Sequence, residues 1–584
     1  MFKLTKEQKK QMADLMADYD ARYDSELHML GEACRSRGYH TNIRPGEWVH
    51  SAERSLKYAV ALLDMGNASR AEDIIRAVLP LQDMDESSET FGIWPYFYEE
   101  PVSQMNPPDW NSADFCSKML LQALIDYDAV LPKDLVREIE EAVLRSCVSI
   151  CRRDAEIQYT NIALMDIYVT VLTGEYLNRT DLLDYGREKA ERFWSYTKTM
   201  GALNEFNSPN YNLLVAKDVS LMLHQVKNDT VRKTMQEIYD FVWAGIAEHF
   251  SVSLTEWTAP NARRYEDFLT DSQLTDLETA LGAEGRFTKN REVDPFAFRC
   301  RMSCPKQYLP AFMHEEERSI YRMNSRGFLY PYYAFAQVAA TYMTKSFALG
   351  SFNRSELWNQ IRPLQCFFGS GECKKSLRLR CLHDGYDFAS GLLHAVQLKG
   401  QVLGTVNFST DRGDTHINLD RLENGRFTAR DLRISFSFTG DISNLKIEKG
   451  ENCAQINDGG INILIRVLEG AFADETVRCE IRRTEAELAF DVVFYSGKER
   501  EFCLCDMENA YCCFYTEISC GRISEYDAAV SHSGSRIKTE VRSNRHTLCL
   551  ENYKRPYPFF VMTSQDIQCI DGKRIEDYAA GIDH

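Results

Sequence analysis

From the N-terminus to about residue 285, apolar residues recur with helical spacing in segments bounded by cap and breaker residues. The pattern predicts helices over Thr5–Glu26, Ser51–Met65, Ser69–Asp83, Ser112–Ala129, Lys133–Arg153, Ile162–Leu172, Asp181–Met200, Tyr211–Val226 and Thr230–Phe250. These segments alternate in character. IALMDIYVTVL (Ile162–Leu172) is apolar on nearly every side and must be buried all round, whereas the charged, amphipathic Asp181–Met200 needs one covered face. Ser51–Met65, Ser112–Ala129, Ile162–Leu172 and Tyr211–Val226 then form an inner ring with the others outside. Inner-to-outer connections are short and polar. Outer-to-inner ones, Tyr39–His50, Phe91–Asn111, Ile157–Asn161 and Gly201–Asn210, are longer and rich in aromatic, acidic, Asn and Pro residues. Antiparallel pairing puts the informative loops at one rim, where a rigid scaffold presents functional residues.

Beyond about residue 370 the pattern becomes short alternating stretches such as LRLRCL, QVLGTVNFS, LRISFSFTG and INILIRVLE, separated by Gly, Asn and Asp turns, which predicts antiparallel β-structure. The expected organisation is a helical toroid of the (α/α)6 type over residues 1–365 followed by an antiparallel β-sandwich over 366–584. The run YPYYAFAQVAATYMTK (Tyr330–Lys345) reads as a last inner helix closing the toroid.

A length of 584 residues suits two cores rather than one, and 44% hydrophobic with 26% charged residues argues against disorder. No leader pattern opens the sequence and no run of about 18 apolar residues occurs, so a cytoplasmic protein without a membrane partner is expected. Eighteen cysteines scattered without zinc-ligand spacing read as packed thiols, and neither a metal nor a cofactor is expected. The formal net charge of -18 repels a polyanion and disfavours nucleic acid, although one or two placed arginines can still hold an anionic sugar. Self-association is left open.

The segment GIWPYFYEEPVSQMNPPDWNSADF concentrates Trp94, Glu99, Asp109, Trp110 and Asn111 just before an inner helix. Aromatic faces for sugar C–H groups and carboxylates and amides for hydroxyls are what a pyranose site requires; the competing reading of Asp109 is a helix cap. NEFNSPNYN offers Glu205, Asn207 and Tyr211, YTN offers Asn161, and WTAPNARRYED offers Arg263, Arg264 and Tyr265. A guanidinium fork grips a carboxylate, although two adjacent arginines also suit a solvated surface. His40 and His50 flank the first long loop as proton carriers or carboxylate neutralisers. STDRGDTHINLDR brings Asp411, Arg412, Asp414 and His416 together in the β-region. Motifs for proteases, lipases and nucleotide sites are missing.

With WP…EEP…NPPDWN, YTN and EFNSPNY at the rim, the chain resembles bacterial (α/α)6-barrel enzymes acting on uronic-acid sugars. Two groups fit: a glycoside hydrolase family containing exo-acting β-glucuronidases, and the heparinase-like polysaccharide lyases. The first implies hydrolysis of a terminal β-linked glucuronic acid from an imported oligosaccharide, with Glu205 and Asp109 as the carboxylate pair. Arg263 or Arg264 would hold the uronate, and Asn111, Asn161, Asn207 and Trp110 would line the subsite. The second implies that Tyr211 or Tyr265 abstracts the C5 proton while Asn207, His40 or an arginine neutralises the carboxylate. A sugar-binding protein without turnover is the third reading.

Overall fold

The computed structural model describes residues 2–35, 40–294, 296–326, 335–543 and 546–580. Ten helices of eight or more residues, α1 (Lys6–Arg22), α2 (Ala52–Met65), α3 (Ala68–Val78), α4 (Ser112–Tyr127), α5 (Lys133–Arg153), α6 (Thr160–Tyr176), α7 (Thr180–Met200), α8 (Pro209–Gln225), α9 (Asp229–His249) and α10 (Asp271–Leu281), occupy the first half among the described residues. The chain forms two compact units. Unit 1 comprises residues 1–197, 213–243 and 271–305, and unit 2 comprises 198–212, 244–270 and 306–584.

Unit 1 is a helical toroid. Ser51 caps α2 by accepting from the Arg54 amide, and Gly66, with φ of 90°, ends it in the left-handed conformation that a side chain would resist. α2 packs on α4 and α4 on α6, while α3 lies against α2 and α5 against α4. From Thr160 to Gly174 every residue of α6 is buried, as an inner helix demands; α7 buries one stripe containing Leu182, Gly186, Ala190 and Phe193. A Cβ on Gly186 would come within 2.6 Å of Thr170 and Val171, so glycine sets how closely α7 approaches α6. Gln225 of α8 meets Gln122 of α4 and Tyr168 of α6. Arg299 closes the ring by binding Asp64 of α2 at 2.8 Å and Asp126 of α4 at 2.9 Å, with both its guanidinium and Asp64 1% exposed.

Unit 2 is built on antiparallel sheets. A nine-stranded sheet runs in the order Arg478–Arg483, Leu488–Cys503, Arg426–Gly440, Lys375–His383, Leu364–Phe368, Phe347–Phe352, Phe335–Met343, Arg318–Arg326, with Tyr386–Asp387 paired off that path. It packs through Leu377, Phe436 and Phe490 on Val402, Ile463 and Phe514 of a seven-stranded sheet. The other face of that second sheet meets a five-stranded sheet through Leu403, Tyr515, Val541 and Leu548. Covered on both faces, Gly391–Leu398 is buried along its whole length.

Two differences from the sequence expectation follow from packing. The described part of the Tyr330–Lys345 run is a strand, Phe335–Met343, with its first five residues outside the described ones. From Gln337 to Thr341 its side chains are buried on both faces, and such a run cannot be told from a buried helix by periodicity. The units are also interleaved, rather than split at 365/366. The nine-stranded sheet begins at Arg318, and the loop containing Thr258–Pro260 lies so close to the strand Phe347–Phe352 that a Cβ on Gly350 would overlap the Ala259 carbonyl.

Candidate active site

Within unit 2, three segments are stitched into one scaffold. Asn207, held at φ of 51°, donates through Nδ2 to the carbonyls of Thr258 at 2.8 Å and Pro260 at 2.9 Å, and its Oδ1 accepts from the Trp257 indole. Asn261 returns a bond to the Asn207 carbonyl at 2.6 Å, and the Arg264 amide donates to the Gln360 carbonyl at 2.7 Å. Ser208 donates to the Arg263 carbonyl at 2.6 Å and accepts from the Tyr211 amide at 3.2 Å, fixing the first turn of α8 against the second segment. Asn207 is therefore spent on the fold.

This scaffold brings together Glu205, Tyr211, Arg263, Tyr265, Trp358 and His416. The Tyr211 and Tyr265 hydroxyls lie 2.7 Å apart, and Arg263 donates to the Tyr211 hydroxyl at 3.3 Å. The guanidinium carbon is 5.4 Å from the Tyr211 ring centre and 4.9 Å from that of Trp358, within cation–π range of both. His416 meets the Trp358 ring edge-on at 4.6 Å. Tyr265 is 46% exposed, so the phenol pair runs from the buried side to solvent.

Electrostatics gives each group a state. Burial pushes the Tyr211 phenol up, and Tyr265 and Glu205 add to the rise against the opposing pull of Arg263, so at neutral pH the hydroxyl keeps its proton. Burial works against the Arg263 charge, but the two phenols and Glu205 outweigh it and hold the cation firmly. Burial and Arg263 together lower the His416 pKa, which leaves the ring neutral. The backbone amides of Asn418 and Leu419 donate to His416 Nδ1 at 3.1 and 3.3 Å, so the ring proton sits on Nε2, a neutral donor.

The loop bearing His416 is clamped by a second histidine. His383 donates to Asp414 at 2.8 Å and to the Thr428 carbonyl at 2.7 Å, two acceptors that only the imidazolium satisfies together. Burial lowers its pKa, yet the hydrogen bond and charge of Asp414, the Thr428 carbonyl and Asp384 raise it above the ordinary value. A raised folded-state pKa gives stability that is complete below the unfolded value and lost as pH rises through the folded one. Amide exchange over residues 413–420, corrected for intrinsic rates, is accordingly expected to speed up as pH rises through neutrality, and His383→Gln should abolish that step.

Arg264, expected beside Arg263 as a uronate grip, is buried instead. It pairs with Glu256 at 2.7 Å and donates to the Trp257 carbonyl at 2.7 Å, with both charged side chains 1% exposed. Arg263 faces Tyr211 and Trp358 while Arg264 faces Glu256, so the pair splits into one candidate-site arginine and one structural arginine.

The remaining candidates fall in unit 1, where three of the long loops meet. His40 Nδ1 lies 2.7 Å from the Pro107 carbonyl with its ring 5.8 Å from Tyr96, and Asn111 donates to the Tyr159 hydroxyl at 3.3 Å. Asp109 accepts from the Tyr96 hydroxyl and, at 3.0 Å, from the Asn111 amide, so its carboxylate closes a turn at the start of α4. Trp94 is fully buried with its indole on the Val78 carbonyl, a core position rather than a sugar platform. Trp110 is half-buried on the Glu89 carbonyl, and Glu99 holds His50 at 2.6 Å. Asn161, second residue of α6, caps nothing. Its Oδ1 and that of Asn111 are buried with no hydrogen-bond partner among the described residues, a state that a bound hydroxyl would relieve.

Trp358 was missing from the sequence expectation because LWNQI lies in the stretch whose pattern was least regular. The only signal was an aromatic beside Asn and Gln.

Residues 10–275 match the family model described as a domain of unknown function, DUF8769. No curated protein matches. Among solved structures, the chain is similar to a chondroitin AC lyase of Streptomyces coelicolor A3 in complex with chondroitin sulphate (10% identity, 94% of this chain and 88% of that one, TM-score 0.44). It is also similar to heparinase III (11%, 86% and 82%, TM-score 0.41) and to the heparan sulfate lyase HepC of Pedobacter heparinus (9%, 84% and 80%, TM-score 0.32). No helix among the described residues is long and apolar enough to cross a membrane.

Proposed function

We propose that this chain is a lyase that cleaves a uronate-containing oligosaccharide by β-elimination at the Tyr211–Arg263 site. The observation that carries the reading is the pair of hydrogen-bonded phenols with a guanidinium on the inner one. Elimination next to a carboxylate needs a group that neutralises the carboxylate, so that the C5 proton becomes acidic, and a group that moves that proton. Arg263 and the Nε2–H of His416 supply the first. Tyr211 supplies the second: its proton leaves through Tyr265 to solvent, and Arg263 stabilises the phenolate. The phenolate takes the C5 proton, the electron pair passes to the carboxylate, the C4–O bond breaks as C4=C5 forms, and Tyr211 returns a proton to the departing oxygen.

Hydrolysis would need two carboxylates flanking the glycosidic bond. Among the described residues, Glu205 is the carboxylate that acts on both Tyr211 and Arg263, while Asp109 is engaged by Tyr96 and Asn111, and Asp420, beside His416, by the Thr415 hydroxyl and the amides of Thr415 and His416. Incubation with a uronate oligosaccharide tests the proposal. Elimination splits the chain without adding water and leaves an ultraviolet-absorbing unsaturated uronate; products heavier by one water and without that absorbance would reject it.

A further inference from the structure

The outer face of the five-stranded sheet carries two cysteines in register. In the strand His546–Tyr553, Leu548, Leu550 and Asn552 turn inward and are buried, which sends Thr547, Cys549 and Glu551 outward. In the strand Ile567–Ile570, Gln568 and Ile570 are the buried ones and Cys569 points out. The two strands run antiparallel with Cys549 directly opposite Cys569, and both thiols are half-buried and unbridged. The Asp571 amide donates to the Thr547 carbonyl at 2.9 Å, so two residues further in the cysteines occupy a hydrogen-bonded pair, whose Cα atoms stand about 5.5 Å apart. Disulfides most often span about 5.5–6 Å between Cα atoms. The β-carbons of such a pair, about 5 Å apart, must close to about 3.8 Å. Closing draws in a strand of four residues and gives a half-exposed bond of the kind that small thiols reopen.

Burial raises both thiols above the ordinary range. Lys538 pulls Cys549 back against Glu540 and Glu551, and Arg574, opposite Cys569 on the next strand, pulls Cys569 back against Glu576 and Asp577. The pair therefore rests as thiols and reacts through a small thiolate fraction. What the short strand holds gives the pair its consequence. Asp566, immediately before it, is buried and binds Arg354 at 2.7 Å and His394 at 2.8 Å, and Gln568 donates to the Asn353 carbonyl at 2.8 Å. A bond at Cys569 would staple the segment that supplies these contacts to the strand beside it.

We infer that Cys549 and Cys569 are a modification site, closing reversibly into a disulfide by exchange with a small disulfide such as oxidised glutathione. The Cys549 thiolate attacks the small disulfide and releases one glutathione thiolate. Cys569, losing its proton, then attacks the Cys549 sulfur of the mixed disulfide and releases the second. Two protein thiols are oxidised, one disulfide is reduced to two thiols, and the two protons pass to the departing thiolates. Every residue used lies in unit 2 outside the Tyr211 cluster, so the inference does not rest on the elimination reading.

The test incubates the full chain in a millimolar buffer of reduced and oxidised glutathione, alkylates the remaining thiols and cuts with trypsin, which cleaves after Lys554 and so separates the two cysteines. The expected product is a peptide carrying Cys549 joined to one carrying Cys569, and dithiothreitol should part them. At low occupancy the joined fraction should exceed, by about tenfold, the fraction of Cys569 that carries glutathione in Cys549→Ser, because the second exchange is intramolecular. Should that variant fail to fold, Cys569→Ser gives the same comparison at Cys549. Amide exchange over Ile567–Ile570 should slow by at least about tenfold in the joined form and recover on reduction. Glutathione on both cysteines without the joined peptide, a joined fraction no larger than the variant's adduct, or unchanged exchange in the joined form would overturn the inference.

Discussion

Tyr211→Phe is expected to lower the rate of uronate elimination by about a hundred- to ten-thousandfold, the range ascribed to one positioned acid–base group. The phenyl ring keeps the cation–π contact with Arg263 and the packing of α8, so the loss isolates the hydroxyl. What disappears is the atom that Tyr265 and Arg263 both address. Stability should fall by no more than about 1 kcal/mol, the net worth of an ordinary hydrogen bond. KM should change little because carboxylate recognition rests on Arg263 and His416. The pH profile gives an independent check. Burial holds the Tyr211 proton above the usual range, so wild-type turnover should climb with pH across neutrality as the phenolate fraction grows. A Phe variant with near-native turnover would remove Tyr211 from the chemistry.

The largest effect on stability is expected at Arg264. Arg264→Ala leaves Glu256 in the interior with the Leu269 amide at 3.1 Å, its own neighbour's amide at 2.9 Å and Lys374 at 3.9 Å, but without its guanidinium partner. Breaking a buried ion pair on one side costs about 3–5 kcal/mol, readable as a shift of the urea midpoint. Arg264→Lys should recover part of it, since a point charge reaches Glu256 but cannot also bond the Trp257 and Glu266 carbonyls. Arg263→Ala, one residue away, should leave the midpoint nearly unmoved and damage turnover instead. If the two alanine variants behave alike, the division between a site arginine and a structural one is wrong.

The helical half was legible because burial imposes a period on it: an inner helix such as α6 has no room for a charged face, and an outer one such as α7 needs one stripe. The strand Phe335–Met343 was not, since covering both faces erases the alternation that marks a strand. At the site, NEFNSPNY announced Tyr211 and Glu205 through their place before an inner helix. It could not announce that Asn207 is consumed by the backbone of residues 258–260, more than fifty positions along the chain. Nor could WTAPNARRYED announce that Arg263 and Arg264 part company, because Arg264 turns back to Glu256 while Arg263 reaches Tyr211, fifty-two positions away. Trp94 misled for a related reason: aromatic residues serve cores and sugar platforms alike, and burial alone tells them apart.

The route of bond cleavage is the central claim, and the most direct measurement is the fate of solvent oxygen. Digestion of a uronate oligosaccharide in water enriched in the heavy oxygen isotope is predicted to yield products that carry no label from the cleavage step and end in a C4=C5 double bond, because elimination adds no water. One heavy oxygen per bond cleaved, with saturated products, would contradict the account and return the chain to hydrolysis.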